Sequence, residues 1–372
     1  CCINGFIAVF LQSKGLSNTE IGIVTGGSCV ATIFLSPFMS SLISKIKGMT
    51  IKKLMTFLML TTVLLYIVMA FLPIPAFLVM IFYVIMYALN MSTVPMLTMI
   101  AMNYINEGTY VNFGLARGIG SASWATSALV FGQVVSFLGA NILSIAYCVF
   151  ALVTLFILYH LPESKITKTK TEEVQEEGSV VTVIKKYKIF FFLLLGFCFM
   201  FSGATAIGTY LINIVKSLGG NTSLYGVAMF AMAFSELPVM MTVPKLMKKF
   251  NSVTLILVAS IFYICRNYTI GLAPNLIVLI IGMMFQGLSY GLFTGVITYY
   301  VTYNLDTQDQ MSGQTMIGIM TSGIGSTLGN VLGGILQDTI GLNALFTFVY
   351  LMTALGSVII FICKFVSVKV KK

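Results

Sequence analysis

IKKLMTFLMLTTVLLYIVMAFL, residues 51–72, opens with two lysines in its first three residues and then runs apolar to its end. A bilayer core about 30 Å thick is crossed by roughly 20 apolar residues in helical form. A helix also bonds its own backbone, which lipid cannot do for it. The run therefore reads as one crossing, with its lysines marking the end that stays in water. Working outward, further apolar stretches lie at 1–12, 20–44, 75–102, 113–137, 140–160, 187–215, 222–247, 252–272, 275–303, 311–337 and 341–367. That gives twelve membrane helices. The first is about half a crossing long, which implies that its helix continues ahead of Cys1. The runs are continuous rather than alternating over about ten residues, which excludes a β-barrel.

Composition agrees with lipid as the solvent. Of 372 residues, 58% are hydrophobic and 9% charged, against about 25% charged in a soluble domain. A soluble enzyme, a nucleic-acid binder and a secreted disulfide scaffold are all excluded as whole-chain descriptions. The bilayer is the expected partner and nucleic acid is not. The seven cysteines sit in or beside apolar runs without metal-ligand spacing and read as small buried hydrophobes. No metal and no cofactor is expected, and without a phosphate loop ATP is not the energy source. His160, beside Leu161 and Pro162, reads as a solvated helix end.

The net charge of +10 is a topology signal. If the stretches alternate across the membrane, 17 lysines fall on one side, around 45–53, 165–188, 245–249 and 364–372. Only Lys14 and Lys216 fall on the other. The positive-inside rule makes the rich side cytoplasmic, with both termini inside and the chain in the cytoplasmic membrane. The polar stretch 161–186 mixes glutamates and lysines and reads as a flexible cytoplasmic linker. It separates a six-helix half at 1–160 from another at 187–372. The halves repeat at an offset of about 200 residues. GLSNTEIG (15–22) after Lys14 answers SLGGNTSLYG (217–226) after Lys216, and Pro37 answers Pro238.

Charge within a crossing costs at least about 2.5–3.5 kcal/mol near its centre. Arg117, Glu236 and Arg266 carry it here. They line a polar cavity and meet solute or proton, or else an Arg–Glu pair pins two helices. Ser121, Trp124 and Ala128 follow Arg117 at helical spacing on one face. Trp124 is the only tryptophan and lies mid-span, where an indole can stack on a flat ring while a guanidinium grips hydroxyls or a carboxylate. Packing is its other reading. Gly114, Gly118 and Ala122 on the opposite face, and Gly325, Gly329 and Gly333, suit close helix contact. Asn90, Gln286 and Gln314 are amides at apparent helix depth, able to bind a hydroxylated solute or to join helices.

FGLARGIGSASWA (113–125) with Glu236 and Arg266 resembles the major facilitator superfamily, in its lactose permease and oligosaccharide–proton symporter branch. The resemblance spans nearly the whole chain. It implies an all-α fold of two six-helix pseudo-repeats, with solute bound between them. It implies that Arg117 and Trp124 bind sugar, that Gln286 stands where the branch has a helix-ten histidine, and that Glu236 and Arg266 serve proton coupling. The branch's acid on helix four falls near Thr98 or Met99, its helix-ten acid at Ser289 and its loop aspartate at Ser44. Glu236 would therefore serve both solute and proton.

The expectation is a monomeric carrier of a small polar solute, a sugar or glycoside, in symport with protons. A nucleoside or aromatic-acid carrier, an exporter of amphiphiles and a receptor-like relative are the alternatives. A membrane enzyme would need a cluster of catalytic groups that three scattered ionisable residues do not supply.

Overall fold

The computed structural model describes residues 1–46, 49–110, 113–162 and 180–370; the side chains of Arg117, Ser44 and Lys45 are among a few outside the described set. The helices are α1 (Ile7–Ser13), α2 (Asn18–Lys45), α3 (Ile51–Phe71), α4 (Ala76–Asn106), α5 (Phe113–Leu138), α6 (Ile142–His160), α7 (Val180–Lys186), α8 (Lys188–Ser217), α9 (Thr222–Lys249), α10 (Ser252–Gly271), α11 (Leu276–Met284), α12 (Leu292–Asn304), α13 (Thr307–Gly318), α14 (Ser326–Thr339) and α15 (Leu342–Val370). No strand occurs among the described residues. A π-helical turn, Gly287–Gly291, joins α11 to α12 in one crossing, and another, Ile319–Gly325, joins α13 to α14. Among the described residues, eleven helical stretches are long and apolar enough to cross a membrane, with the shorter α1 ahead of them.

Local sequence sets the helix ends. Ser17 and Glu20 form a reciprocal capping box at the start of α2, which satisfies two of the donors a helix start leaves open. Asn221, Asn251 and Asn275 cap α9, α10 and α11 with their side-chain oxygens. The pseudo-repeat is visible in the backbone. Gly15 and Gly219 both turn at φ near +80° (82° and 77°), and Gly139 and Gly341 make another such pair. A side chain is disfavoured there.

Within the first half, α4 packs on α2 and α3, and α6 on α3. Within the second, α15 packs on α8 and α10, and α14 on α8. Gly325, Gly329 and Gly333 face α8 closely, as their spacing predicts: a Cβ on Gly329 would stand 2.0 Å from the Ser202 carbonyl. The glycine face of α5 differs. A Cβ on Gly118 would meet nothing within 4 Å, and the close glycine of α5 is Gly132, against Gly226 of α9. The stretch expected as linker also ends differently. Residues 163–179 lie outside the described residues, but Val180–Lys186 is helical and buries Val183 in the core of the second half. Lys186 bonds Asp306 (2.6 Å) and the buried Asp309 (2.7 Å), fixing α7 to the start of α13. The Lys186 ammonium holds the Asp306 carboxyl below the usual carboxylate range, and the two carboxylates hold Lys186 above its own.

The two halves meet mainly through α2 on α14 and α5 on α9. These contacts concentrate at the end that carries Lys14 and Lys216. A Cβ on Gly22 would stand 2.5 Å from the Asn330 carbonyl, and one on Gly334 2.3 Å from the Asn18 carbonyl. Asp338 of α14 accepts from the Asn18 amide (2.8 Å) and from the backbone N–H of Thr19 (2.6 Å) in the first turn of α2. Asn213 donates to Asn18 (2.8 Å) and to Gln337 (2.9 Å), and Gln12 donates to Asn213 (2.7 Å). Tyr210, at a non-helical point of α8, places its one hydroxyl proton between the carbonyls of Asn330 (2.8 Å) and Asn18 (3.0 Å).

Candidate functional site

Behind this clasp the halves enclose a cavity of about 270 Å³, lined from the first half by Asn4, Gly5, Cys29, Tyr87 and Trp124. The second half contributes Thr205, Thr209, Arg266, Gln286, Tyr290, Ser326 and Asn330. Trp124 and Met232 also line a larger cavity of about 790 Å³, in which Val94, Thr98 and Ser121 face Glu236, Leu237 and Met240. Trp124 thus sits where the two spaces adjoin.

The second half is locally built for this. Gly287 and Gly291 lie in the π-helical turn, and a Cβ on Gly287 would stand 2.1 Å from the Ser235 carbonyl of α9. Two missing side chains let α9 approach the turn, which brings Glu236 against Gly291 and lets Gln286 act on its carboxyl. Such turns within membrane helices often mark functional sites. Arg266 is 1% exposed. Its Nη1 donates to Asn267 (2.9 Å), whose amide donates to Thr353 (2.7 Å). Three buried polar atoms of the smaller cavity have no hydrogen-bond partner: Asn4 Oδ1, Arg266 Nε and Gln286 Oε1. Unpartnered buried polar atoms cost about 1–3 kcal/mol each, which a hydroxylated molecule between them would recover.

The structure places Arg266 and Gln286 on the smaller cavity, Glu236 on the larger and Trp124 on both. Arg117 belongs to α5, but its side chain lies outside the described residues. Asn90 stands apart: its amide donates to the Tyr147 hydroxyl (3.2 Å), which also bonds Thr62 (2.7 Å), in a polar knot joining α3, α4 and α6. Gln314 is exposed and donates to the Thr298 carbonyl (3.3 Å). Its helix begins at Thr307 rather than 311, which puts Gln314 in the second turn, short of the chamber's depth. Glu236 and Arg266 act on each other electrostatically, but they form no ion pair. Those formed among the described residues belong to Lys186. A structural Arg–Glu pin between α9 and α10 is thereby corrected. Asn4, Thr205, Thr209 and Asn330 line the chamber unforeseen. Thr209 donates to the Asn330 side chain (2.8 Å), and only the wide spacing of such small polar residues in apolar runs could have signalled them.

Two pseudo-repeated six-helix halves, clasped at one end around a polar chamber, define a solute carrier of the major facilitator type. The MFS_1 like family model matches residues 1–348, and the chain belongs to that family. It is 22% identical to the maltose permease of Geobacillus stearothermophilus over 277 residues, 74% of this chain and 69% of the permease. In fold it is similar to two structures of the nucleoside transporter NupG. One has TM-score 0.83 at 14% identity, covering 98% of this chain and 96% of that one, and the other has TM-score 0.77. A D-xylose-proton symporter follows at TM-score 0.69 and 14% identity, covering 97% and 92%. At such identities the likeness carries the fold alone. The chain is a multi-pass membrane protein of a transporter family.

Proposed function

We propose that the protein is a secondary transporter that moves a small neutral polyhydroxylated solute, a sugar or glycoside, across the cytoplasmic membrane in symport with protons. The observation that carries this is the pair of adjoining spaces between the two halves, one lined by Gln286 and Arg266 and the other by Glu236, with Trp124 lining both. An indole face accepts the apolar side of a sugar ring, and the unpartnered amide and guanidinium atoms suit its hydroxyls. The lysine-rich end is the cytoplasmic one, so both termini are inside and the clasped end faces out. The structure is then an inward-facing state. Gly118 and its neighbours on α5 stand apart in it because they belong to the end that is open, and they close in the opposite state.

Glu236 is the proton carrier. Its carboxyl is held between Gln286 and the charge of Arg266, so one proton changes both its charge and what its neighbours can offer a solute. The empty carrier returns with Glu236 ionised, whereas a carrier that holds the proton alone or the solute alone reorients poorly, and that couples solute to proton. In this reading the carrier is a monomer and the proton is its coupling ion. A nucleoside is the second reading, since a flat base can stack on Trp124 while ribose hydroxyls meet the amides. The test is uptake of maltose, D-xylose and uridine by the purified protein in proteoliposomes. Uptake of one of them rises when an inward proton gradient is imposed and falls when a protonophore collapses it. Equal uptake with and without the gradient contradicts proton symport.

A further inference from the structure

Residues 2–6 precede the first regular helix and form turns. Outside a helix their carbonyls need donors, and irregular backbone at membrane depth is tolerated where it is buried in protein or lines a cavity. Both conditions hold. Tyr66 donates to the Cys2 carbonyl (3.2 Å) and Tyr83 to that of Ile3 (2.8 Å). Tyr225 donates to that of Gly5 from α9, in the opposite half. All three tyrosines are buried. This bracing fixes a segment whose one polar side chain, Asn4, lines the chamber. The Asn4 Nδ2 reaches only the Met91 sulfur, at 3.7 Å, a weak acceptor. Its Oδ1 is buried with no partner, in a cavity also lined by Gln286 and Arg266, whose Oε1 and Nε are unpartnered too.

We infer that the braced turn at Cys2–Phe6 is a ligand-binding element and that Asn4 is its contact residue, accepting a hydroxyl of a neutral polyhydroxylated solute held against Gln286 and Arg266. This rests on the transport reading and adds a residue from the first half to the site. The solute then bridges the halves directly, from Asn4 on one side to Gln286 and Arg266 on the other. The Tyr225 bond ties the same segment to the helix that carries Glu236, so the position of Asn4 follows the movement of α9.

The test uses Asn4→Leu, which keeps the bulk of the side chain and removes its polar atoms. Binding of maltose, D-xylose and uridine to the full chain in detergent is measured by calorimetry, with ligand-free thermal stability measured in parallel. The expected result is that the probe bound by the parent binds at least tenfold more weakly to Asn4→Leu, while the ligand-free variant melts at or above the parent temperature. Removing a buried atom that lacks a partner relieves a cost rather than breaking a bond. A structural role predicts the reverse in stability, so a variant that melts well below the parent overturns the assignment. So does one that binds the probe as tightly. If the parent binds none of the three, the substrate class of the transport reading is wrong and the role of Asn4 falls with it. If the parent binds and the variant binds equally, only the role of Asn4 falls.

Discussion

Gly226→Ala tests whether the contact of α5 with α9 is a gate. The added Cβ would stand 2.6 Å from the Ala128 carbonyl oxygen and 2.7 Å from the Gly132 Cα. Both are backbone atoms, which no rotamer change can move. Ordinary contact needs about 3.5 Å or more, so the helices must part by about 1 Å. Overpacking of this kind costs about 1–3 kcal/mol. The better helix propensity of alanine applies in both states and cancels. The clash exists only where the outer end is closed, so the cost falls on the inward-facing state alone. At 1.4 kcal/mol per tenfold, the equilibrium moves toward the outward-open state about 5- to 150-fold. The assay is the labelling rate of a single cysteine at Thr209, a chamber residue, by a membrane-impermeant thiol reagent added outside right-side-out vesicles. Gly27→Ala is the control, since its Cβ would meet only Val84, at 3.7 Å. The Gly226→Ala protein should label faster within that range and the Gly27→Ala protein at the parent rate. An unchanged rate in Gly226→Ala refutes the gate.

The remaining predictions concern topology, solute stacking and α7. A cysteine at Asn221 should react with an impermeant reagent from outside, and one at Gln308 only after permeabilisation; the reverse pattern inverts the orientation. Trp124→Ala should weaken solute binding at least tenfold and Trp124→Tyr less, because tyrosine keeps a stacking face; equal small effects in calorimetry would make Trp124 a packing residue. Asp306 is held below its ordinary pKa and Lys186 above its own, so their contact is intact above about pH 4 and below about pH 10. It is lost as pH falls through the carboxylate range or rises through that of the lysine. Hydrogen exchange of 180–186 should be slow within that window and fast in Lys186→Met; unchanged exchange in the variant would show that Val183 alone holds α7.

The membrane helices, their order and the repeat could be read from the sequence because lipid imposes length and charge placement directly. Gly15 and Gly219 turn alike because only glycine suits the φ that both loops need. The chamber was legible where charge or a lone indole stood out, at Trp124, Glu236 and Arg266, and in part at Gln286. Direction was not legible. In lipid the outer face of a helix is as apolar as its packed face, so the pattern that separates inside from outside in a soluble helix is nearly absent. Asn90 therefore looked like a chamber residue, although its amide is used by Tyr147. Gln314 looked deep because its helix starts four residues earlier than the apolar run. Asn4 was hidden in an apolar stretch, and only the carbonyls braced by Tyr66, Tyr83 and Tyr225 mark its segment as irregular. The pairing of Gly132 with Gly226 joins residues 94 positions apart in chain order, which no local spacing encodes.

Proton coupling through Glu236 is tested most directly by separating accumulation from exchange in Glu236→Gln. The amide mimics the protonated carboxyl permanently and keeps its size, so the chamber can still bind solute and reorient with it. With whichever of maltose, D-xylose and uridine the parent transports, the variant in proteoliposomes should lose accumulation driven by a proton gradient and keep solute exchange at equal pH. If Glu236→Gln accumulates the solute against its gradient as well as the parent does, Glu236 does not carry the coupling proton.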